Sequence, residues 1–136
     1  MAEYFVDTNV FLRYLTNDDP KKARRAESLF KRAVSGKLSL ETSLLVIAEI
    51  VWTLESFYRL GAEEIADKVG KILNTPNLDC PDSLLILQAL DLYVTKNIDF
   101  IDAYHAAMLK DAGNTRIVTY DKKHFGRIEW LEVIEP

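Results

Sequence analysis

The chain has 136 residues, a net charge of -4, 49% hydrophobic residues and 28% charged residues, which is the profile of an ordinary globular protein of one domain spanning residues 1–136. The net negative charge argues against a protein that binds nucleic acid through the electrostatic field of its whole surface. No apolar stretch has the roughly 18 residues of a membrane helix. No basic stretch followed by an apolar run opens the chain, and Cys80 is the single cysteine. We therefore expect a cytoplasmic protein without a membrane partner.

The predicted elements alternate between strands and helices. In chain order they are strand 3–7, helix 8–15, a helix from Pro20 to a stop at Gly36, strand 37–41, a helix capped by Thr42 or Ser43 and running to Leu60, helix 62–73, strand 77–80, helix 81–96, helix 100–112, strand 116–120 and strand 130–134. Strands that alternate with helices indicate an α/β fold with a central, mostly parallel sheet.

Two acidic residues directly follow predicted buried strands. Asp7 comes after Tyr4, Phe5 and Val6, and Asp121 comes after the strand that ends at Tyr120. In a parallel sheet the carboxyl ends of the strands share one edge, so both carboxylates are expected on one rim. Each also has a plainer interpretation, Asp7 as a helix cap and Asp121 as a turn former.

Glu49 and Asp102 are two further acids in unusual surroundings. The helical neighbours of Glu49 are largely apolar, which predicts a core-facing carboxylate that needs a metal or a distant cation such as Arg13. Asp102 lies in the first turn of its helix, where the helix dipole favours an acid, and Asp99 fits the N-cap of the same helix. Carboxylates that converge repel one another, and Mg²⁺ or Mn²⁺ would resolve the conflict.

The segment from Lys21 to Lys37 contains seven Lys or Arg and one acid, a local net charge of +6 on an otherwise acidic chain. One interpretation is the solvated face of an amphipathic helix. The other is a phosphate-binding patch for RNA, with Lys21, Lys22 and Arg25 as its candidate residues.

Four segments in this order resemble a PIN-domain ribonuclease of the VapC toxin type. They are FVDTNVFLRYL at the start, AEIVWTLE around Glu49, DFIDAYHAAM around Asp102 and IVTYDKKHF around Asp121. Transferred residue by residue, the resemblance implies a catalytic metal site of Asp7, Glu49, Asp102 and Asp121. It also implies supporting polar roles for Thr8, Asn9, Asp99 and Thr119.

The same resemblance implies a three-layer sandwich, with helices on both sides of the sheet. It further implies Mg²⁺- or Mn²⁺-dependent cleavage of RNA, a homodimer, and a cognate antitoxin that blocks the site. His105 is either a proton carrier or a hydrogen-bonding residue of its helix, and we interpret His124 as structural.

Two other classes of function stay open from the sequence. One is a catalytically silent, metal-binding interaction module, in which the same acids bind metal or face a partner. The other is metal-dependent phosphotransfer through Asp7. Haloacid-dehalogenase enzymes need a second Asp two residues after this nucleophile, where this chain has Asn9. Response regulators need an acidic pair before the end of the nucleophile strand, and the chain begins too close to that strand to supply one.

Overall fold

The computed structural model describes residues 2–136, which contain seven helices and five short strands. They form two compact units, one extending to Asp82 and the other running from Ser83 to Pro136. All strand pairs are parallel, so the predicted α/β class is confirmed. The strands are shared between a three-stranded sheet in the first unit and a two-stranded sheet in the second.

The first unit contains three strands, with two helices between each strand and the next. Its elements are β1 (Tyr4–Phe5), α1 (Thr8–Thr16), α2 (Pro20–Val34), β2 (Leu40–Glu41), α3 (Leu44–Ser56), α4 (Ala62–Leu73) and β3 (Leu78–Asp79). The strand order is β1-β2-β3, with Tyr4 opposite Leu40 and Leu40 opposite Leu78. Parallel neighbours need crossover connections of this kind, and helices supply them.

Aromatic and aliphatic side chains form the interior of the first unit. The rings of Phe11 on α1 and Phe30 on α2 stack with their centroids 5.3 Å apart, and both are buried. Burying one such side chain contributes about 1.5–3 kcal/mol. Thr42 is also buried, and its hydroxyl donates a hydrogen bond of 3.1 Å to the carbonyl of Val6, which satisfies a polar group beside β1.

The ends of α1 and α2 follow from local sequence. Asn17 ends α1 in the left-handed conformation (φ 54°), which Asn adopts more readily than most residues. Asp19 begins α2 by accepting a hydrogen bond of 3.2 Å from the amide of Lys22, and Pro20 occupies the first helical position. These signals place the start of α2 where the sequence predicts it.

The second unit pairs two helices with two strands and a short helix. Its elements are α5 (Ser83–Thr95), α6 (Phe100–Asp111), β4 (Arg116–Val118), α7 (Lys122–Phe125) and β5 (Glu132–Ile134). β4 and β5 are parallel, with Ile117 opposite Val133. Tyr93 of α5 and Phe100 of α6 meet edge to face at 6.3 Å, which helps to hold the two helices together.

Several boundaries differ from the prediction. The long helix α3 ends at Ser56 rather than Leu60, because the amides of Phe57 and Tyr58 both bond to the carbonyl of Thr53 and Arg59 takes a positive φ of 56°. The helix α7 was not predicted, since four residues are too few to show an apolar period. The expectation of a single domain over residues 1–136 stays a prediction.

No helix within residues 2–136 combines the length and the apolar character required to cross a membrane.

Candidate functional site

Asp7 stands at the junction of β1 and α1 in the first unit. It follows the buried Val6 and occupies the N-cap of α1, where its Oδ1 accepts a hydrogen bond of 2.8 Å from the amide of Thr8. The capping interpretation is therefore confirmed. Capping engages one carboxylate oxygen on an exposed side chain, so it leaves Asp7 able to bind a cation with the other.

Thr8 links Asp7 to Glu49. Its side chain is buried at 7% exposure, and its hydroxyl donates a hydrogen bond of 3.1 Å to Oε1 of Glu49 on α3. The amide of the same residue is bonded to Asp7. A single threonine thus hydrogen-bonds to two carboxylates that are 42 residues apart in sequence.

The expectation that Glu49 faces the core was wrong. Glu49 is exposed, and so are Leu45 (75%) and Trp52 (69%) on the same face of α3. The buried stripe lies on the opposite face, around Ile47, Ile50 and Leu54. Because α3 is apolar on both faces, hydrophobic spacing alone does not reveal which face is buried.

Arg13 is not the partner of Glu49. Its guanidinium forms an ion pair of 3.2 Å with Asp18, whose other oxygen accepts a hydrogen bond of 2.5 Å from the hydroxyl of Tyr58. The hydrogen bond from the Tyr58 hydroxyl holds the pKa of Asp18 below its ordinary value. Slight burial opposes this effect, and the Thr16 hydroxyl and the Arg13 guanidinium reinforce it. The hydrogen-bonding partner of Glu49 in this unit is Thr8.

The second unit brings three acids into electrostatic contact. Asp99 caps α6 by accepting a hydrogen bond of 3.2 Å from the amide of Ile101, as predicted. Asp102 lies half-buried in the first turn of α6. Burial raises the pKa of Asp102, and the negative charges of Asp99 and Asp121 raise it further. These carboxylates therefore share a region of excess negative charge.

Asp121 is held by its own local sequence. Its amide donates a hydrogen bond of 3.0 Å to the hydroxyl of Thr119, and its Oδ1 accepts one of 3.0 Å from the amide of His124. The ring Nδ1 of His124 lies 2.8 Å from Oδ2. The His124 amide and then its ring lower the pKa of Asp121, so this carboxylate stays ionised more readily than usual.

His124 contacts a predicted site acid, which the sequence interpretation did not anticipate. It supports local structure, as expected, but the residue that it supports is Asp121. The signal was present in the spacing, because an Asp at an N-cap places the residue three positions later against its side chain. His105 is exposed on α6, and its positive charge when protonated lowers the pKa of Asp102.

The donor atoms suit a hard divalent cation. The first unit offers the carboxylates of Asp7 and Glu49, and the second those of Asp99, Asp102 and Asp121. Oxygen donors of this kind match Mg²⁺ and Mn²⁺ rather than zinc. In neither unit do three or more His, Cys, Asp or Glu side chains of residues 2–136 form a group able to hold a metal ion. The four-acid metal centre accordingly stays a prediction.

The predicted phosphate-binding residues lie on α2. Lys22 and Arg25 line a cleft between α1 and α2, together with Asn9 and Arg13, whereas Lys21 is exposed outside that lining. Farther along α2, Lys31 is paired with Glu27 at 3.0 Å, so part of the basic segment is an ordinary solvated helix face. The structure thus divides the basic segment into two kinds of surface.

Comparisons with known proteins place this chain in a family. Over 118 residues it is 26% identical to a VapC ribonuclease of Aquifex aeolicus (strain VF5), an alignment that covers 87% of each protein. Two solved structures are similar at low score. VapC20 of Mycobacterium tuberculosis, described as a toxin that cleaves the sarcin–ricin loop, has a TM-score of 0.42 and 20% identity and covers 98% of this chain and 100% of its own. A chain of VapBC2 of Rickettsia felis, solved with a DNA fragment from its promoter, has a TM-score of 0.37 and 18% identity and covers 98% of each.

The decisive match is to the sequence model of the PIN domain, which aligns with residues 4–131 and so covers almost the whole chain and both units. The four segments that contain Asp7, Glu49, Asp102 and Asp121 all lie within that alignment. The chain belongs to the PIN domain family.

Proposed function

We propose that this protein is a Mg²⁺- or Mn²⁺-dependent endoribonuclease and the toxin of a toxin–antitoxin pair. The observation that supports the proposal is that Thr8, just after β1, hydrogen-bonds to both Asp7 and Glu49, two of the predicted site acids. Family membership and the similarity to a VapC ribonuclease support the choice of RNA as substrate.

The acids proposed to bind divalent metal are Asp7 and Glu49 in the first unit and Asp102 and Asp121 in the second, as the resemblance to VapC-type ribonucleases implies. Two carboxylates 4 Å apart repel by about 4 kcal/mol at an effective dielectric constant near 20, so such a group needs a counter-charge. The raised pKa of Asp102 beside two other acids is consistent with that need. When bound, the cation would activate water and neutralise charge on the phosphodiester.

Each supporting residue has a distinct task in this proposal. Thr8 would orient Glu49 through its hydroxyl and Asp7 through its amide, and Thr119 and His124 would orient Asp121 through its amide and carboxylate. Asp99 begins α6 and so orients the turn that carries Asp102. Fixed acids of this kind would bind the cation without reorganising, which is how supporting hydrogen bonds raise metal affinity.

Basic residues of α2 would bind the RNA backbone. Lys21, Lys22 and Arg25 are exposed. For single-stranded RNA, each phosphate neutralised by such a residue adds about 0.7 to the steepness with which log affinity falls against log salt concentration. A local basic surface on a chain of net charge -4 would restrict RNA contact to this face.

A cognate antitoxin, a homodimer and a cytoplasmic location complete the proposal. The VapC-type resemblance of the four acidic segments implies all three. Co-expression with the product of a neighbouring reading frame, followed by co-purification and sedimentation analysis, tests the antitoxin and the dimer together.

The decisive experiment is the cleavage of a structured RNA in Mn²⁺ by the wild type and by Asp7→Asn. Asn caps a helix as well as Asp, so the variant should fold normally, yet it lacks the charge that offsets the cation and should not cleave. Asp67→Asn is the matched control, because Asp67 is an exposed acid of the same unit that forms an ion pair with Lys71. Cleavage by Asp7→Asn at the wild-type rate would return this residue to a capping role alone. A wild type that binds Mn²⁺ without cleaving RNA would favour the interaction-module alternative.

A further inference from the structure

In the second unit, a hydrogen-bonded link joins the turn before α6 to the segment after α7. The guanidinium of Arg127 donates through Nη1 to the carbonyl oxygen of Lys96, at 3.5 Å, and to that of Asn97. Both acceptors follow the end of α5, and Asn97 takes a positive φ of 51°. Carbonyls at the carboxyl end of a helix lack partners within the helix, so a cation is a favourable donor to them.

The Arg127 link continues through the backbone to Asp121. The amide of Arg127 donates to the carbonyl of His124 at 3.1 Å, and the amide of His124 donates to Oδ1 of Asp121 at 3.0 Å. At the other end of the link, the two carbonyl acceptors come just before Asp99, the N-cap of α6. One arginine thus connects the start of α7 with the start of α6, the turn that carries Asp102.

Buried apolar residues lie beside the link. Ile98 and Ile128, one on each of the joined segments, are buried, and Arg127 is half-buried. The ion pair of Lys96 with Glu129 joins the same two segments at 3.3 Å, but 87% of the Glu129 side chain is exposed. Because ion pairs so exposed to water contribute little to stability, the bonds of Arg127 are the ones that fix these segments.

The joined turns carry acids that repel one another. Burial raises the pKa of Asp102 most, and the negative charges of Asp99 and Asp121 raise it further. Like charges that interact in this way push their turns apart unless the backbone is held. The Arg127 link therefore lies where a restraint on the acids is needed.

The charge of Arg127 cannot itself favour a bound cation. Its hydrogen bonds to neutral carbonyls leave the charge of the guanidinium uncancelled. That charge reaches the acids. The amide and then the ring of His124 lower the pKa of Asp121 most, slight burial opposes them, and the positive charges of His124 and Arg127 lower it further. A positive charge near a metal site repels the metal, so any contribution of Arg127 to metal binding has to be geometric.

We propose that Arg127 is a positioning residue, which holds the start of α6 and the start of α7 together and thereby fixes Asp102 relative to Asp121. The inference rests on the proposed metal-dependent function and assigns a further residue to that same site. Arg127 touches neither metal nor RNA in this role, because it acts through the two turns that carry the acids.

The first experiment compares the Mn²⁺ affinities of the wild type and Arg127→Met, from the electron paramagnetic resonance signal of free Mn²⁺ added to the full chain. Methionine keeps an unbranched side chain but has no group that donates to the carbonyls. Arg127→Met should bind Mn²⁺ about tenfold more weakly, as is usual when a residue that orients ligands is lost. A role confined to charge predicts tighter binding, and a role confined to stability predicts unchanged binding by the folded protein.

Lys96→Met is the matched control for this comparison. It removes one positive charge from the same turn and keeps the Lys96 carbonyl that accepts from Arg127. Its Mn²⁺ affinity should equal that of the wild type. Thermal melts establish that each variant is folded, and affinities are measured well below the lowest midpoint.

The second experiment follows hydrogen exchange in chelator and so needs no metal. The amide of Ala103 makes a backbone bond of α6 by donating to the carbonyl of Asp99 at 2.8 Å. In Arg127→Met this amide should exchange on the order of tenfold faster, the effect of losing one hydrogen bond that restrains the turn. The amide of Ala23, which donates to Asp19 at 2.8 Å at the start of α2, should not change. Equal acceleration at both amides would mean general destabilisation and would overturn the positioning role.

A third measurement excludes direct contact with RNA. The affinity for RNA in chelator, where cleavage does not occur, should be the same for Arg127→Met and the wild type. Weaker RNA binding by the variant would make Arg127 a phosphate ligand and would overturn the inference.

The outcomes separate the two proposals. An Arg127→Met protein that binds Mn²⁺ as tightly as the wild type, or more tightly, would overturn the positioning role. If that result accompanied Mn²⁺-dependent cleavage of RNA by the wild type, the nuclease would stand and the assignment of Arg127 alone would fail. A wild type that binds Mn²⁺ but cleaves no RNA would refute the nuclease, while weaker Mn²⁺ binding by Arg127→Met would still support the positioning role. If the wild type bound no Mn²⁺, the nuclease would fail, and the exchange rates of Ala103 would decide the positioning role.

Discussion

Thr8→Val should separate the two carboxylates of the first unit while preserving the shape of the side chain. Valine fills the same space but cannot donate the 3.1 Å hydrogen bond to Glu49. The amide bond to Asp7 is a backbone contact and survives the substitution. The change therefore tests whether Thr8 positions Glu49, independently of the helix cap.

The expected cost follows from the surroundings of the bond. A hydrogen bond to a charged group contributes about 1.5–3 kcal/mol when its loss leaves a buried ion, but Glu49 is exposed and water replaces the hydroxyl. We therefore expect a loss of about 1 kcal/mol, which is a fall in Tm of roughly 3–5 °C for a chain of this size. Cleavage should fall more, by roughly 10- to 100-fold, because an unrestrained Glu49 supports a metal poorly.

A double-mutant cycle with Glu49→Ala isolates the interaction. Thermal or urea unfolding in chelator should give a coupling of about 1 kcal/mol between Thr8→Val and Glu49→Ala. Thr8→Ser is the matched control, because it keeps the hydroxyl and loses only a methyl group, at about 0.8 kcal/mol. It should retain cleavage despite that loss. A coupling near zero, or a Thr8→Val protein as active as the wild type, would refute the positioning role.

Two further predictions concern the metal and the charge on Asp102. Mn²⁺ should raise the Tm of chelator-treated protein, with a stabilisation of about 1.4 kcal/mol at tenfold excess over its Kd, and an unchanged midpoint at millimolar Mn²⁺ would count against the site. Asp102→Asn should raise the Tm in chelator at pH 7, because a carboxyl group whose pKa is raised by folding destabilises the native state once it is ionised. That advantage should shrink as the pH falls through the raised folded pKa and be lost below about pH 4, so an equal gain at pH 7 and pH 3.5 would contradict the electrostatic cause.

Much of the local structure could be predicted from the sequence because its signals are local. The cap at Asp99, the start of α2 at Asp19 and Pro20, and the bounds of Ala62–Leu73 follow from residues within a few positions of each other. The family could also be inferred from the sequence. Its signal is the order of four acidic segments along the chain, and that order can be recognised without knowing which residues are in contact.

Tertiary structure alone decided which face of α3 is buried and what Glu49 touches. Leu45 and Trp52 are as apolar as Ile47 and Ile50, so helical spacing predicts a core-facing Glu49, whereas packing in the first unit places it on the exposed side. The Thr8 bond spans 41 positions and leaves no periodic trace in the sequence. The same holds for the cleft, since only the packing of α1 against α2 separates Lys22 and Arg25 from the other cations of the basic segment. Contacts between distant segments depend on how helices pack, and the order of residues along the chain does not encode that geometry in any local pattern.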